Sequence, residues 1–177
     1  MLDVLISSKL RIKLLLKFFI NPDLKSYLRG LAGEFNVSSN AIRQELDKFE
    51  EAGIIKGHRK GNKKLFRVNT SYPLYKEIRN LMLKNVGLEG IITKVIKKLG
   101  NIERVYLTGS LARGIEGPSI DLYLIGDINR KYLQKSKQKA EKLIEKKLRI
   151  AIFESHEWNE ELLRNEPHMI LYESKTK

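Results

Sequence analysis

The side chains best suited to chemistry lie on one face of a helix predicted over residues 38–52. Ile42, Leu46 and Phe49 recur at helical spacing and predict its buried face. Arginine can bind guanine through two hydrogen bonds, and asparagine or glutamine can bind adenine. The face therefore suits the reading of base edges, although a solvated surface helix would show the same pattern. Its hydrogen-bonding residues are Ser39, Asn40, Arg43, Gln44 and Lys48.

A second group of cations lies in the segment 56–67, which holds six lysine and arginine residues and no acid. Two glycines and an asparagine predict a flexible basic loop over residues 57–63. Such a loop suits phosphate or minor-groove contacts, which supply affinity rather than sequence readout. The alternative is a solvated turn. The candidate DNA-binding residues of both groups are Ser38, Ser39, Asn40, Arg43, Gln44, Lys48, His58, Arg59, Lys60, Lys63 and Lys64.

The elements that must position these groups follow a characteristic order. Periodicity and turn residues predict helices at 9–20, 27–35 and 38–52, strands at 54–56 and 64–68, and a helix at 75–83. This is the order of a winged helix-turn-helix, whose recognition helix enters the major groove. The acids Asp47, Glu50 and Glu51 are expected toward the C-terminal end of that helix, away from the end that enters the DNA major groove.

The first half resembles the winged helix of the ArsR-type bacterial and archaeal regulators. The resemblance is carried by residues 28–35, by residues 37–46 and by Leu-x-x-Phe-Glu-Glu-Ala-Gly-Ile-Ile over 46–55. It implies double-stranded DNA as the partner and a homodimer formed through the first and fourth helices. ArsR-type metal sensing often uses cysteine thiolates, and this chain has no cysteine. His58, His156 and His168 are widely separated, so metal sensing through this domain is not expected.

The second half alternates helices and strands, which predicts a small α/β domain. A long basic helix at 130–147 is either solvated or a second nucleic-acid face. The other predicted elements are helices at 88–99 and 157–164, strands at 105–108, 120–125, 149–153 and 169–172, and a loop at 109–118.

Residues 105–124 resemble the minimal nucleotidyltransferases of the DNA polymerase β superfamily. Their signature is a strand, Gly-Ser, a loop with Ala-Arg-Gly, and Asp-x-Asp on the next strand. This chain has Gly-Ser-Leu-Ala-Arg-Gly over 109–114 and Ser-Ile-Asp over 119–121. The resemblance implies a phosphate-binding loop and a Mg²⁺ site on that strand. The residues it assigns are Gly109, Ser110 and Arg113 to the nucleotide, and Asp121 to the metal and to catalysis.

Two positions depart from this signature. Ser119 replaces the first aspartate, and the expected register puts Arg149 where a third carboxylate should stand. A hydroxyl holds Mg²⁺ more weakly than a carboxylate, and a cation repels the metal. The preferred interpretation is a domain that keeps the fold without the chemistry, needs no cofactor, and senses a nucleotide or mediates association. The alternative is an active, antitoxin-like enzyme with an autoregulatory winged helix, which uses Mg²⁺ and a nucleoside triphosphate to modify protein or RNA. In that case Glu116 or Glu154 would supply a missing carboxylate.

Charge and composition limit the class of partner and the class of protein. The net charge is +13, and residues 1–85 carry 17 lysines and arginines against 8 acids. That excess indicates a polyanionic partner, although a lysine-rich proteome would also produce it. No apolar run reaches the roughly 18 residues of a membrane-spanning helix. The apolar start at residues 1–6 is too short for a secretory signal, so none is expected. The sequence thus predicts a cytoplasmic transcriptional regulator of the α+β class, with a winged helix-turn-helix at 1–85 and a nucleotidyltransferase-like domain with a mixed sheet at 86–177.

Overall fold

The computed structural model describes residues 2–94, 96 and 99–174. The chain divides into two compact units, Met1–Met82 and Leu83–Lys177. Each unit contains helices and its own β-sheet, so the fold is of the α+β class. No helix within the described part of the chain is long and apolar enough to cross a membrane.

The first unit has a three-stranded antiparallel sheet in the order β1-β3-β2 and helices that pack around it. Its order of elements is that of a winged helix-turn-helix. The elements are a 3-10 turn at Leu2–Val4, α1 (Lys9–Ile20), β1 (Ser26–Tyr27), α2 (Leu28–Phe35), α3 (Ser39–Glu51), β2 (Ile55–Lys60), β3 (Lys63–Val68) and α4 (Tyr75–Asn85). The last three residues of α4 belong to the second unit.

Local sequence signals set the angle between α2 and α3. Asn36 ends α2 in the left-handed conformation at φ 52°, which asparagine tolerates better than most residues. The Ser38 hydroxyl then caps α3 by accepting a hydrogen bond of 3.1 Å from the Ala41 amide. Ile42 and Leu46 are fully buried and anchor α3 in the core. The turn-and-cap sequence therefore fixes the helix whose polar face is exposed.

The hairpin after α3 is more regular than its sequence suggests. β2 extends to Lys60 and β3 begins at Lys63, so only Gly61 and Asn62 form the turn. Gly61 adopts a φ of 59°, the left-handed conformation that suits a tight hairpin. The predicted flexible loop over residues 57–63 is wrong, because cross-strand hydrogen bonding extends almost to the turn. The short strand β1, which pairs with β3, was not predicted.

The second unit has a four-stranded mixed sheet in the order β6-β5-β4-β7. β5 and β6 are parallel, and the other two pairs are antiparallel. A parallel pair requires a crossover, which α7 provides. The elements are α5 (Leu88–Lys94), β4 (Gly100–Thr108), α6 (Gly109–Ala112), β5 (Ser119–Ile128), α7 (Arg130–Ile144), β6 (Lys147–Phe153), a 3-10 turn at Glu160–Leu163 and β7 (His168–Glu173).

Several boundaries in the second unit differ from the predicted ones. α7 ends before residue 147 because Glu145 adopts a left-handed φ of 55° and Lys147 already pairs in β6. The predicted loop at 109–118 begins with the helical turn α6, and the predicted helix at 157–164 is a single 3-10 turn. The predicted helix at 88–99 ends at Lys94 as described, while its residues 95, 97 and 98 lie outside the described residues.

The two faces of the second sheet differ in composition. One face is aliphatic and buried, with Leu107, Leu122 and Leu148 each no more than 2% exposed. The other face carries aromatic rings, and Trp158 stacks on Tyr106 at 5.4 Å between ring centroids. Asp121 and Arg149 lie on this second face, because they are an even number of residues from Tyr123 and Phe153 on their strands.

Candidate nucleic-acid interface

An ion pair between helices orients α3. Arg11 of α1 donates two hydrogen bonds to Glu45, at 2.7 Å from Nε and 3.1 Å from the other donor nitrogen. The hydrogen bond from Arg11 lowers the pKa of the Glu45 carboxyl, and the same bond raises the pKa of the guanidinium. Lys17 of α1 makes a second link of 2.8 Å to Glu34 of α2. These pairs attach both helices of the helix-turn-helix to α1.

The polar face of α3 and the hairpin are accessible to a partner. The stripe formed by Ile42, Leu46 and Phe49 is buried, so the opposite side of the helix faces solvent. Every residue predicted to bind DNA is exposed. These residues are Ser38, Ser39, Asn40, Arg43, Gln44, Lys48, His58, Arg59, Lys60, Lys63 and Lys64.

The β2–β3 hairpin, called the wing below, places cations directly opposite cations. Its register pairs Lys60 with Lys63 and Arg59 with Lys64 near the turn. A third pair, Lys56 with Arg67, lies nearer the base. Like charges opposite each other on neighbouring strands destabilise a hairpin. The wing therefore concentrates positive charge that its own ladder does not neutralise.

A groove of about 1160 Å³ runs between α3 and the wing. Of the predicted residues, Arg43 of α3 and Arg59, Lys63 and Lys64 of the wing line it together. The other predicted residues are exposed without lining this groove. The groove thus brings a candidate base-reading arginine beside three candidate phosphate-binding cations.

The groove also contains residues that the sequence did not suggest. Tyr27 and Arg29, at the start of α2, and Asn62 of the wing turn lie on its wall. The Lys63 ammonium lies 5.8 Å from the centroid of the Tyr27 ring. A two-residue strand has no detectable periodicity, so nothing placed Tyr27 beside the wing. Arg29 does stand on the polar side of a predicted helix, and that signal could have identified it.

Two acids of α3 lie beside the wing. Asp47 lines the groove one helical turn after Arg43, and Glu50 pairs with Lys64 at 2.5 Å. Both acids lie in the C-terminal half of α3, and the wing folds back along that half. Gly57 permits the Glu50–Lys64 contact, since a side chain at 57 would collide with both partners. Lys64 is therefore partly neutralised, unlike Arg59, Lys60 and Lys63, none of which forms an ion pair with any described residue.

The second unit contains a separate charged site, centred on Asp121 of β5. The parallel register places Arg149 of β6 directly beside it, as the sequence predicts. Arg149 donates from Nε to one carboxylate oxygen and from a terminal nitrogen to the other at 2.8 Å. This hydrogen bonding to Asp121 raises the pKa of Arg149. Both oxygens of the carboxylate are thus engaged by a cation of the same chain.

The glycine of the predicted phosphate loop lies against this site. Gly109 has a φ of 68°, and a side chain there would collide with the Asp121 carboxylate. Ser110 is partly exposed and Arg113 is exposed, so both remain available to a ligand.

The possible substitute carboxylates lie apart from Asp121. Glu116 pairs with Lys146 at 2.6 Å, and Glu154 follows the opposite end of β6 from Arg149. Among the described residues, no group of three or more histidine and acidic side chains is arranged to hold a metal ion.

Comparisons with known proteins give partial structural similarities. No family model matches the chain, and no curated protein matches it. Reduced HlyU from Vibrio cholerae is 14% identical, over 44% of this chain and 77% of that chain, with a TM-score of 0.37. The transcriptional regulator BldR from Sulfolobus solfataricus is 17% identical, over 56% of this chain and 69% of that chain, with a TM-score of 0.38. The fold assignment therefore rests on the order of elements and the strand register described above.

Proposed function

We propose that this chain is a transcriptional regulator that binds double-stranded DNA through its winged helix. The observation that carries the proposal is the cation ladder of the wing, in which Lys60 faces Lys63 and Arg59 faces Lys64, beside a groove that also contains Arg43. Among the described residues, only Lys64 of these four wing cations is paired with an acid, Glu50. A phosphate backbone would relieve the repulsion within this ladder, and DNA binding would release the counterions that otherwise screen it.

The two walls of the groove are suited to different contacts with DNA. Arg43 stands on the exposed face of α3 with Asn40 and Gln44, where side chains can reach base edges. Arg59 and Lys63 stand on the wing, where positive charge suits phosphate contacts without base recognition. Asp47 faces the same groove and would disfavour phosphates near Arg43, which supports a base-reading role for that arginine.

A gel-shift assay with DNA from around its own gene tests this proposal. We expect a discrete shifted band at low salt that survives excess unrelated DNA. Absence of any shift at low salt would overturn the proposal. A shift that unrelated DNA removes completely would leave a DNA-binding protein but contradict a site-specific regulator.

We further propose that the second unit is a nucleotidyltransferase-like domain that no longer transfers nucleotides. The order supports this assignment: Gly109 and Ser110 follow β4, and Asp121 lies on the adjacent strand β5. The donors do not fit Mg²⁺, because Ser119 offers a hydroxyl and Arg149 occupies both oxygens of Asp121. Label transfer from a nucleoside triphosphate by the unaltered protein would contradict this proposal and favour the active, antitoxin-like alternative.

We propose separately that the second unit still binds a nucleotide. Ser110 and Arg113 are accessible beside Gly109, so a nucleotide phosphate could bind there without a metal. Isothermal titration with nucleoside triphosphates, with and without Mg²⁺, should give the same heat in both cases. No heat at millimolar ligand would exclude a nucleotide-responsive regulator.

We also propose that the chain forms a homodimer, since two copies would match the two halves of a palindromic operator. Light scattering coupled to size exclusion tests it directly. A monomer at concentrations where DNA is bound would contradict it.

A further inference from the structure

The helix α7 carries a row of lysines on the side opposite its packed face. Leu133, Ser136 and Ala140 are buried. At 100° per residue, three exposed lysines fall on the side of the helix opposite this stripe. These residues, Lys131, Lys135 and Lys142, are called the α7 row below.

The α7 row is not neutralised by its surroundings. None of its three lysines forms an ion pair with any residue that the structure describes. Glu141 is the only acid within α7, and it accepts a hydrogen bond of 2.8 Å from the Leu148 amide. By contrast, Arg104 and Arg149 on the sheet of the same unit both pair with carboxylates. Acids are therefore available in this unit, but among the described residues none forms an ion pair with the row.

A general excess of lysine does not explain the row. The segment 154–174 of the same unit contains six acids and only one cation, Arg164. Residues 130–149 contain nine cations and only two acids. Positive charge is therefore concentrated in and immediately after α7 rather than spread over the unit.

The spacing of the lysines along α7 also destabilises the helix when no partner is bound. Lys131 and Lys135 are four residues apart, and Lys139 follows after four more. Like charges at this spacing repel on neighbouring turns and destabilise a helix. An external polyanion would remove this repulsion.

We propose that the α7 row binds the phosphate backbone of double-stranded DNA and forms a second DNA contact besides the wing. The row extends about 16 Å along the helix axis, a length over which one DNA strand carries about five phosphates. An anionic membrane is less suited to it, because the exposed apolar side chains of the helix, Tyr132 and Leu143, stand outside the row. The choice of DNA over RNA rests on the function proposed for the winged helix.

The test uses the full chain and a duplex long enough to reach both units. The first variant, K131Q/K135Q/K142Q, removes the charge. The matched control, K131R/K135R/K142R, keeps it. Glutamine, lysine and arginine have similar helix propensities, so α7 should persist in both variants. Each is also made together with R59Q/K63Q in the wing, and fluorescence anisotropy gives Kd as a function of salt.

We expect the glutamine variant to weaken DNA binding at least tenfold at about 0.1 M salt, and to reduce the salt slope by about 2 to 3. The arginine control should bind like the unaltered chain. A change of less than twofold, in both the unaltered and the wing-substituted background, would overturn the proposal. Loss of self-association with unchanged DNA binding would also overturn it, in favour of a second copy as the occupant.

The same experiment separates this inference from the function proposed for the winged helix. If only the α7 row binds DNA, R59Q/K63Q alone leaves affinity unchanged, and the winged-helix proposal fails. If only the wing binds DNA, K131Q/K135Q/K142Q leaves the affinity for DNA unchanged, and the inference about α7 fails.

Discussion

The wing and the Asp121 site use arginine and lysine in opposite ways. In the wing, Lys60 faces Lys63 across the ladder, so the fold places like charges together. At the second site Arg149 faces Asp121 across a parallel register, so the fold pairs opposite charges. Cations that the chain leaves unneutralised are suited to an external anion. A cation already bound to a carboxylate is not, and it also removes that carboxylate from metal binding.

Ion pairs in the first unit show that this contrast does not result from a shortage of acids. Arg11 pairs with Glu45, and Lys17, which is only 5% exposed, pairs with Glu34. Where cations hold helices together, the chain therefore provides partners. The hairpin, by comparison, carries six cations and no acid between residues 56 and 67. The two regions therefore differ in where acids are placed relative to cations. Substitutions can test whether unneutralised cations mark the surface that binds an anionic partner.

The largest effect is expected from R59Q/K63Q in the wing. Removing two phosphate contacts should weaken DNA binding roughly 10²-fold at about 0.1 M salt, because each contact contributes about 0.9 to the salt slope. Fluorescence anisotropy with a gene-proximal duplex measures the change. The matched control is K9Q/K76Q, which removes the same charge from exposed residues of the same unit that do not line the groove. Equal losses in the two variants would show that net charge, rather than the wing, drives binding.

A second expected effect is loss of sequence preference in R43A. A bidentate contact between arginine and guanine contributes about 1 to 3 kcal/mol to discrimination against the wrong base. The preferred duplex should therefore bind less tightly, while unrelated duplexes bind almost as before. Competition assays with both duplexes measure this ratio. An equal loss on all duplexes would reassign Arg43 to phosphate binding.

Substitutions at the Asp121 site test whether Arg149 keeps the carboxylate from binding a metal. The double variant S119D/R149D should gain Mg²⁺ binding, because it frees Asp121 and adds two carboxylates. At Mg²⁺ about tenfold above Kd, binding should stabilise the variant by about 1.4 kcal/mol, seen as a rise in Tm. The unaltered protein should show no such rise. If it shows the same stabilisation by Mg²⁺, Arg149 does not block metal binding.

The smallest effect concerns the ion pair that orients α3. E45Q should lower the free energy of unfolding by about 1 kcal/mol at neutral pH, because it leaves Arg11 without its carboxylate. The pKa of Glu45 is lowered in the folded protein, so its contribution is complete above the ordinary glutamate value. The contribution is lost as pH falls through the lowered folded value.

Denaturant unfolding at several pH values checks this prediction, with E51Q as the control at an exposed residue of the same helix. The difference between E45Q and the unaltered chain should shrink toward zero in acid. A constant difference at every pH would assign the effect to packing rather than to the ion pair.

Local signals made much of the fold predictable. The apolar periodicity and the Ser38 cap specified α3, and the alternation in the second half specified a mixed sheet with Arg149 beside Asp121. The wing was only partly predicted, because glycines in a hairpin suggest flexibility when the cross-strand register is unknown. The positions of Tyr27, Asp47 and Glu50 in or beside the groove depend on how the wing folds along α3, which no local pattern encodes.

The salt dependence of DNA binding by the unaltered chain is the most direct test of phosphate binding by the wing. If the repelling cations of the wing bind phosphates, log Kd plotted against log salt should be linear, with a slope corresponding to at least two or three released counterions. We expect tight binding at about 50 mM salt that weakens steeply as the salt concentration rises. Absence of binding at that salt, or an affinity that salt does not change, would contradict the role proposed for the wing.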